Sequence, residues 1–205
     1  MKVLIVAATY QEIAPFLAEF ELIDVSFQQH SSFDVLITGV GMTATAFALG
    51  KTLHNPYKLI LNVGIAGSFN KDIKIGDLIN VKEDIFADLG VEENENFLSI
   101  EELGFGKTKF EGLEIKDLKQ VKGITVNKVS GSLPTINYLL KKYNPAIETM
   151  EGAAVFYCAE QAKTPVIQVR SVSNFVEPRN KENWDIKLAI NNLNLWLINY
   201  LRYKI

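Results

Sequence analysis

Two polar segments in the second half of the chain hold side chains whose types and spacing suit chemistry on a small ligand. Glu151 lies where an extended run becomes a small-residue helix, and Asn174 closes the segment Arg170-Ser171-Val172-Ser173-Asn174. A carboxylate can accept hydrogen bonds from two vicinal hydroxyls, and an amide can both donate and accept along the edge of a heterocyclic base. Both segments are predicted at strand ends. Because ligands bind beyond the carboxyl ends of strands in open α/β sheets, the sequence predicts one shared site there.

Glu12 is a third candidate, and each of the three has a purely structural alternative. Thr9-Tyr10-Gln11-Glu12 forms a capping box, which by itself accounts for a glutamate at this position. Glu151 can be a solvated residue at a helix start, although the helix dipole is expected to favour its ionised form. Asn174 can be a turn residue after a strand. We expect functional roles because all three follow predicted strands.

The order of elements along the chain predicts an α/β fold, as a single α/β/α sandwich domain over residues 1–205 with a mixed central sheet. Continuous apolar runs such as 2–8 indicate strands buried on both faces, and apolar residues at helical spacing after Tyr10 indicate a helix. The section 87–122 is irregular and charged, and is predicted to form loops or a lid. The predicted strands are 2–8, 33–38, 59–63, 78–81, 123–130 and 164–172, and the predicted helices are 10–20, 43–53, 136–143, 152–162 and 185–202.

Composition limits the partners and the compartment. The net charge of -3 comes from 21 Lys and Arg against 24 Asp and Glu, and no basic stripe with interleaved aromatic residues occurs, so nucleic acid is not an expected partner. No run approaches the roughly 18 apolar residues of a membrane span, and the amino terminus lacks a signal-peptide pattern. We therefore expect no association with a membrane, and we expect the protein to be cytoplasmic. Cys158, the single cysteine, is predicted to be a buried structural thiol. Because His30 and His54 lie far apart, no metal site is indicated.

The run Gly39-Val40-Gly41-Met42-Thr43-Ala44 matches the glycine-rich dinucleotide-binding fingerprint, between a predicted strand and a predicted helix. That fingerprint also needs an acidic residue about twenty positions later to bind the ribose hydroxyls. No acidic residue lies between Asp34 and Asp72, so a dinucleotide cofactor is not predicted. We expect the glycines to permit a tight turn and close helix packing, or to present N–H groups to a water or an anion.

Motifs spread over nearly the whole chain resemble those of the purine nucleoside phosphorylase and nucleosidase superfamily. They occur in the same order as in that superfamily and are similar to its hydrolytic branch, which includes the 5′-methylthioadenosine/S-adenosylhomocysteine nucleosidases and the futalosine hydrolases. The motifs are Gly39-x-Gly41, Asn62-Val63-Gly64-Ile65-Ala66-Gly67, Lys74-Ile75-Gly76-Asp77, Met150-Glu151-Gly152-Ala153-Ala154 and Arg170-x-x-Ser173-Asn174.

The resemblance implies roles for individual residues. It implies that Glu12 is the general base that activates water, and that Glu151 holds the ribose together with Met150. It assigns Asn174 to recognising and stabilising the departing base. Further substrate contacts are implied for Ser173, Gly64, Ile65 and Ala66. No cofactor is implied, and the expected assembly is a homodimer.

Asn174 is the main departure from the adenosine-directed nucleosidases, which carry aspartate at the matching position to protonate or hydrogen-bond N7 of adenine. An amide NH2 can donate to O6 or N7 of a 6-oxopurine, whereas an ionised aspartate would face O6 with a second acceptor. The segments 86–90 and 175–184 also resemble futalosine hydrolases. Together these features predict hydrolysis of futalosine to hypoxanthine and dehypoxanthine futalosine in menaquinone biosynthesis. Arg179 is a candidate partner for the carboxylate beyond the 5′ end, or else a solvated loop residue.

Other functions stay open on the sequence: a 5′-methylthioadenosine/S-adenosylhomocysteine nucleosidase, a purine nucleoside phosphorylase, or a noncatalytic purine-nucleoside sensor. A phosphate co-substrate calls for cationic or backbone donors. No Lys or Arg lies between Val3 and Gly50, where related phosphorylases place arginines, although the amides of residues 64–67 could still bind phosphate. A sensor would keep the ribose and base contacts and would not need Glu12.

Overall fold

The computed structural model describes residues 1–94, 96–178 and 180–204. The strands in these ranges are β1 (Val3–Ala7), β2 (Phe27–Gln29), β3 (Phe33–Ile37), β4 (Leu59–Ser68), β5 (Leu78–Phe86), β6 (Gly90–Glu93), β7 (Asn96–Ser99), β8 (Lys109–Glu111), β9 (Lys119–Thr125), β10 (Ile147–Thr149) and β11 (Val166–Phe175). The α-helices are α1 (Tyr10–Glu19), α2 (Met42–Thr52), α3 (Leu133–Tyr143), α4 (Gly152–Gln161) and α5 (Ile186–Lys204), and a short 3-10 helix spans Lys181–Asn183.

Nine strands form one mixed sheet that folds back on itself at one side. Their order is β10-β9-β5-β11-β4-β1-β3-β2, with β8 added to β5, while β6 and β7 form a separate hairpin. β4 is parallel to β1 and to β11, whereas β11 and β5 are antiparallel. Because β10 pairs with both β9 and β4, the strands β4, β11, β5, β9 and β10 close a small barrel. This closure brings Glu148 and Asn174 to opposite sides of Gly67, which pairs with both.

Helices cover both faces of the sheet. All five residues of β1 are buried, which explains its uninterrupted apolar run. Val3 and Ile5 belong to the core that includes side chains of α1 and α5, whereas Leu4 and Val6 belong to the core beneath α2 and α4. This arrangement confirms the predicted α/β/α sandwich with a mixed central sheet.

The long helix α5 closes one face through a single apolar stripe. Ala189, Leu193, Leu197 and Leu201 recur every four residues and are buried, so one side of the helix faces the sheet. Its exposed side carries polar residues and also apolar ones such as Leu195. In the part of the chain that the structure describes, none of the helices has the length and apolar character needed to cross a membrane.

The structure corrects the predicted elements in two regions. Residues 87–122, expected as loops or a lid, contain β6, β7, β8 and the first part of β9. The β6–β7 hairpin is largely exposed, so it lacks the apolar pattern that marks a buried strand. β4 and β11 continue to Ser68 and Phe175, beyond their predicted ends at Val63 and Val172, because the two strands pair with each other along this length. Ser173 and Asn174, predicted to follow the strand, therefore lie within it.

Candidate active site

The candidate site forms where the second half of β4 lies between β11 and the segments that follow β1 and β10. A side chain at Gly64 would overlap both the Arg170 guanidinium and the Glu12 carboxylate, so glycine at this position leaves the space that these two groups occupy. Glu151 lies in the same electrostatic environment, because both Arg170 and Glu12 act on its charge. The fold thus gathers two of the predicted carboxylates around one buried arginine.

Glu12 combines the predicted capping role with a contact to β4. Its Oε2 accepts the Thr9 N–H at 3.0 Å, and the Glu12 N–H donates to the Thr9 hydroxyl, so the capping box is present. Its Oε1 accepts the N–H of Ile65 at 3.1 Å. One oxygen therefore holds the start of α1, while the other points to β4 and the neighbouring Arg170. The structural and functional interpretations of Glu12 do not exclude each other.

Helix α1 is kinked directly after Glu12. Ile13 has non-helical backbone angles (φ -124°, ψ 17°), and Pro15, which has no N–H, follows it. Asn194 of α5 accepts the Phe16 N–H at 2.9 Å and donates to the Glu12 carbonyl at 2.8 Å. This buried amide satisfies the backbone groups that the kink releases, and it fixes the turn that carries Glu12. Sequence reasoning missed Asn194 because it lies 182 positions from Glu12.

Glu151 occupies the N-cap position of α4, but its side chain reaches across to another turn. Its Oε1 accepts the N–H of Gly41 at 2.8 Å. Gly41 has φ of 92°, a conformation that glycine adopts without a Cβ penalty. The glycine turn that resembles a dinucleotide fingerprint therefore does present an N–H to an anion, and that anion is the Glu151 carboxylate. The contact ties the turn before α2 to the start of α4.

Burial governs the protonation of Glu151. Loss of hydration raises the pKa of this carboxyl group, while the Arg170 charge and the Gly41 N–H act to lower it and the nearby Glu12 charge raises it further. The net shift is upward. The direction is opposite to the easier ionisation expected from the helix start, because Glu151 is only 9% exposed and its carboxyl group loses hydration on burial.

Arg170 is a site residue to which the sequence analysis assigned no role. Its side chain is 1% exposed, and its Nε and Nη2 have no hydrogen-bond partner among the described residues. Buried guanidinium donors are costly to leave unpaired, so we expect a polar group of a ligand or a water to bind there. The available signal was an arginine inside a predicted strand, at the start of the motif that ends in Asn174.

Asn174 lines a small cavity of about 80 Å³ beside the end of β4. Its Oδ1 accepts the Ser173 hydroxyl at 2.8 Å, and its Nδ2 donates to the Phe175 carbonyl at 3.0 Å, so the orientation of the amide is fixed. Glu148 lines the same cavity and is 5% exposed. Burial raises the pKa of Glu148, although hydrogen bonds from Ser130 oppose the shift. The cavity thus holds an amide and a buried carboxyl group.

Two larger cavities lie elsewhere. A groove of about 740 Å³ is lined by parts of α2, α4 and β5, and a second cavity of about 560 Å³ lies between the β6–β7 hairpin and α3. The residues that line them do not include Glu12, Glu151 or Asn174. The candidate site is therefore identified by its polar geometry and not by cavity size.

A buried polar network lies beneath the start of α4. Asp84 is fully buried, and its carboxylate accepts the Thr125 hydroxyl at 2.9 Å and the Gln168 amide at 2.7 Å. Thr125 in turn accepts the N–H of Ala153 at 2.7 Å. Burial raises the pKa of Asp84 to about 6, while these hydrogen bonds and the Arg170 charge oppose the shift. The network supports the first turn of α4, to which Glu151 is attached, and sequence reasoning did not find it.

The other residues singled out from the sequence lie in several parts of the structure. Met150 is half-buried between β10 and α4, and the Ala66 carbonyl accepts the Ser173 hydroxyl at 3.3 Å. Arg179 lies outside the described residues. Cys158 is a buried free thiol, as predicted. Within residues 1–94, 96–178 and 180–204, no group of three or more His, Cys, Asp or Glu side chains could hold a metal ion.

Comparisons with known proteins identify the family of this chain. Residues 2–200 match the family model described as the Phosphorylase superfamily. A futalosine hydrolase of Streptomyces coelicolor is 30% identical over 173 residues, which cover 77% of this chain and 74% of that protein. A 5′-methylthioadenosine/S-adenosylhomocysteine nucleosidase of Colwellia psychrerythraea is 25% identical, with 96% of this chain and 94% of that protein covered. The structure of a futalosine hydrolase of Helicobacter pylori shares the fold, with a TM-score of 0.80, 17% identity, and coverage of 98% of this chain and 97% of that one.

Proposed function

Because the chain belongs to the phosphorylase superfamily, and within it to the futalosine hydrolase family of N-glycosyl hydrolases, we propose that its substrate is futalosine. In this proposal water cleaves the bond between hypoxanthine and the ribose. The products are hypoxanthine and dehypoxanthine futalosine, and the reaction serves menaquinone biosynthesis. The reaction uses no cofactor.

The observation that carries the proposal is the placement of Glu12 beside a buried Arg170 with free donors. The capping box fixes one oxygen of Glu12, so the other is held in place facing β4. A water between the two side chains can donate one proton to Glu12 and accept an N–H of Arg170. Glu12 then acts as the general base, and Arg170 orients the water.

The same contacts favour water over phosphate as the nucleophile. The Ile65 N–H, one of the backbone donors that a phosphate would use, already donates to Glu12. Glu12 and Glu151 both lie near Arg170, and two carboxylates repel a phosphate dianion at short range. A neutral water meets no such repulsion. These contacts support hydrolysis over phosphorolysis.

Glu151 is proposed to hold the two ribose hydroxyls, with Met150 in contact with the sugar. The raised pKa of Glu151 shows that hydration is lost at this carboxyl group, and hydroxyl donors of a ligand would replace that lost water. Cleavage at the anomeric carbon passes through an oxocarbenium-like state, whose positive charge the nearby carboxylates stabilise. Glu151 therefore binds the sugar and also favours the transition state.

The base is proposed to lie at Asn174. An amide nitrogen carries two N–H bonds, and the Phe175 carbonyl takes one of them, so the other can donate to O6 or N7 of hypoxanthine. Ile65, which contacts Glu12, and Gly67, which contacts Asn174, are two residues apart on β4, or about 7 Å. That spacing suits a sugar at one position and its base at the next.

The test is an assay of the purified protein on futalosine, inosine and 5′-methylthioadenosine, each with and without phosphate. We expect hypoxanthine to be released fastest from futalosine, at a rate that does not depend on phosphate. Adenine release from 5′-methylthioadenosine at a higher rate would instead support the methylthioadenosine nucleosidase alternative. A requirement for phosphate would support a phosphorylase.

The proposal includes a single cytoplasmic domain over residues 1–205 that assembles as a homodimer. The surface around the groove between α2 and α4 supports this assembly, because Phe47, Phe105 and Tyr157 are exposed there. We expect a second copy of the chain to cover this surface. Light scattering on the purified protein would measure the mass, and a monomer at micromolar concentration would contradict the dimer.

A further inference from the structure

Glu148 is a buried carboxylate that the steps above do not use. It lines the cavity that holds Asn174, and it pairs through the backbone with Gly67 from the side opposite Asn174. We propose, on the premise of the proposed function, that Glu148 accepts the N1–H of a 6-oxopurine and so determines the choice of base together with Asn174.

The three strands place the two polar side chains around an open position. Glu148 and Asn174 are the lateral neighbours of Gly67 on β10 and β11. Neighbouring strands lie about 4.8 Å apart, so the backbones of the two residues are separated by about 10 Å. A Cβ at Gly67 would come within 3.0 Å of the Val176 Cγ2 and 3.1 Å of the Asn174 Nδ2, so a side chain there would crowd the edge of the cavity at that amide. A planar base fits between side chains that approach from both sides.

The Glu148 carboxylate has the capacity to accept another donor. Its Oε1 accepts the Ser130 N–H at 2.9 Å and its Oε2 accepts the Ser130 hydroxyl at 2.5 Å. Each carboxylate oxygen has two lone pairs, so Ser130 uses about half of the acceptor capacity. These two bonds hold the carboxylate in one orientation, which lowers the entropy cost of binding a further N–H.

The pair formed by Glu148 and Asn174 matches one purine edge and opposes the other. Hypoxanthine presents a donor at N1–H next to an acceptor at O6, which an acceptor from Glu148 and a donor from Asn174 complement. Adenine presents an acceptor at N1 next to a donor at its amino group, so both contacts become unfavourable. Ser173 and Phe175 hold the Asn174 amide with its N–H toward the base, and an ionised Glu148 cannot donate, so neither group can adapt to adenine. Glu148 therefore strengthens the preference for hypoxanthine over adenine.

The first experiment changes the ligand and leaves the protein intact. Calorimetry at pH 8 would compare the binding of free hypoxanthine, 1-methylhypoxanthine and adenine to the wild-type protein. We expect hypoxanthine to bind about 10- to 100-fold more tightly than the other two, because each of them leaves a buried carboxylate without its donor. Equal binding of hypoxanthine and 1-methylhypoxanthine would overturn the proposal.

The second experiment changes the residue. Glu148→Gln should reduce the preference for hypoxanthine over adenine about 10-fold or more, because glutamine can donate to N1 of adenine. The matched control is Glu102→Gln, since Glu102 also accepts the N–H and hydroxyl of a serine, Ser99, but lies away from the cavity. The control should leave the ratio of the two affinities unchanged. A variant Glu148→Gln with a wild-type ratio would overturn the proposal, whatever its melting temperature.

These outcomes separate the inference from the proposed function. Binding of free bases does not involve the sugar or the water, so it is informative even if futalosine is not cleaved. If futalosine is cleaved and 1-methylhypoxanthine binds as well as hypoxanthine, the inference fails and the proposed function stands. If hypoxanthine is selected by Glu148 but futalosine is not cleaved, the substrate proposal fails and the base assignment stands.

Discussion

Glu151 and Asp84 are two acidic side chains at the start of the same helix, and their surroundings differ. Asp84 is fully buried below the first turn of α4, and side chains of the sheet donate to both of its oxygens. Glu151 lies before that turn, and its Oε1 accepts a backbone N–H of the Gly41 turn. Burial raises the pKa of both groups. The Arg170 charge acts on both groups, so they differ in their hydrogen-bond donors: two side chains for Asp84 and the Gly41 backbone N–H for Glu151.

The comparison teaches that burial and a raised pKa do not by themselves identify a functional carboxylate. Asp84 is 0% exposed beneath the first turn of α4, so it can only hold structure, whereas Glu12 and Glu151 are each 9% exposed and follow the carboxyl ends of strands, where a ligand can reach them. By this criterion Glu12 and Glu151 belong to the site, and Asp84 supports it from below. The following predictions test that division.

The largest effect is expected for Glu12→Gln. A positioned general base contributes about 10² to 10⁴ in rate, so kcat should fall by that factor while substrate binding remains. The matched control is Glu19→Gln on the same helix, where the glutamate is paired with Arg202 near the surface. The rate of futalosine cleavage under single-turnover conditions would be measured for both variants and for the wild type. Near-normal kcat in Glu12→Gln would leave Glu12 as a capping residue and would revive the sensor alternative.

A smaller loss is expected for Glu151→Gln. Weakening a charge-assisted hydrogen bond to a ribose hydroxyl costs about 1.5 to 3 kcal/mol, which corresponds to roughly 10- to 150-fold in kcat/KM. The wild-type enzyme should lose a similar factor on a substrate that lacks the 2′-hydroxyl. The variant should discriminate less between the two substrates. Equal activity of the wild type on both would contradict the role of Glu151.

For Asp84→Asn we expect a change in stability that depends on pH. The folded pKa of about 6 exceeds the ordinary value of 3.8, so ionisation of Asp84 costs the folded state about 3 kcal/mol once the pH is above 6. The stability that Asp84 contributes is thus fully present below pH 3.8 and is lost as the pH rises through 6. Asparagine does not ionise, so the variant should gain stability relative to wild type between these limits.

Denaturant unfolding from pH 4 to pH 8 would measure this difference, with the exposed Asp117→Asn as the control. A difference that stays constant with pH would show that Asp84 is not the titrating group. The activity of Asp84→Asn sharpens the comparison with Glu151. If Asp84→Asn lost as much kcat as Glu12→Gln, Asp84 would belong with the catalytic groups. The distinction between the site carboxylates and a supporting Asp84 would then be wrong.

Much of the fold was predictable because its signals are local. The buried strand β1 is a continuous apolar run, β4 is mostly apolar, and the helices show their period within a few turns, so the α/β/α sandwich could be inferred from the sequence. The exposed hairpin of β6 and β7 was missed because such strands lack an apolar pattern. The capping box at Glu12 was read correctly, since a capping box involves residues only three positions apart.

The sequence by itself determined which side chains could do chemistry: Glu12, Glu151 and Asn174 lie in motifs that can be read without a structure. The tertiary structure alone decided how they are held. The Gly41 N–H reaches Glu151 across 110 positions and Asn194 reaches the Glu12 turn across 182, while the buried Nε and Nη2 of Arg170 have no partner among the described residues. The direction of the Glu151 pKa shift also depends on the fold, because burial raises the pKa more than the Arg170 charge and the Gly41 N–H lower it. Burial and hydrogen bonding join distant segments, so no local pattern in the sequence can report them.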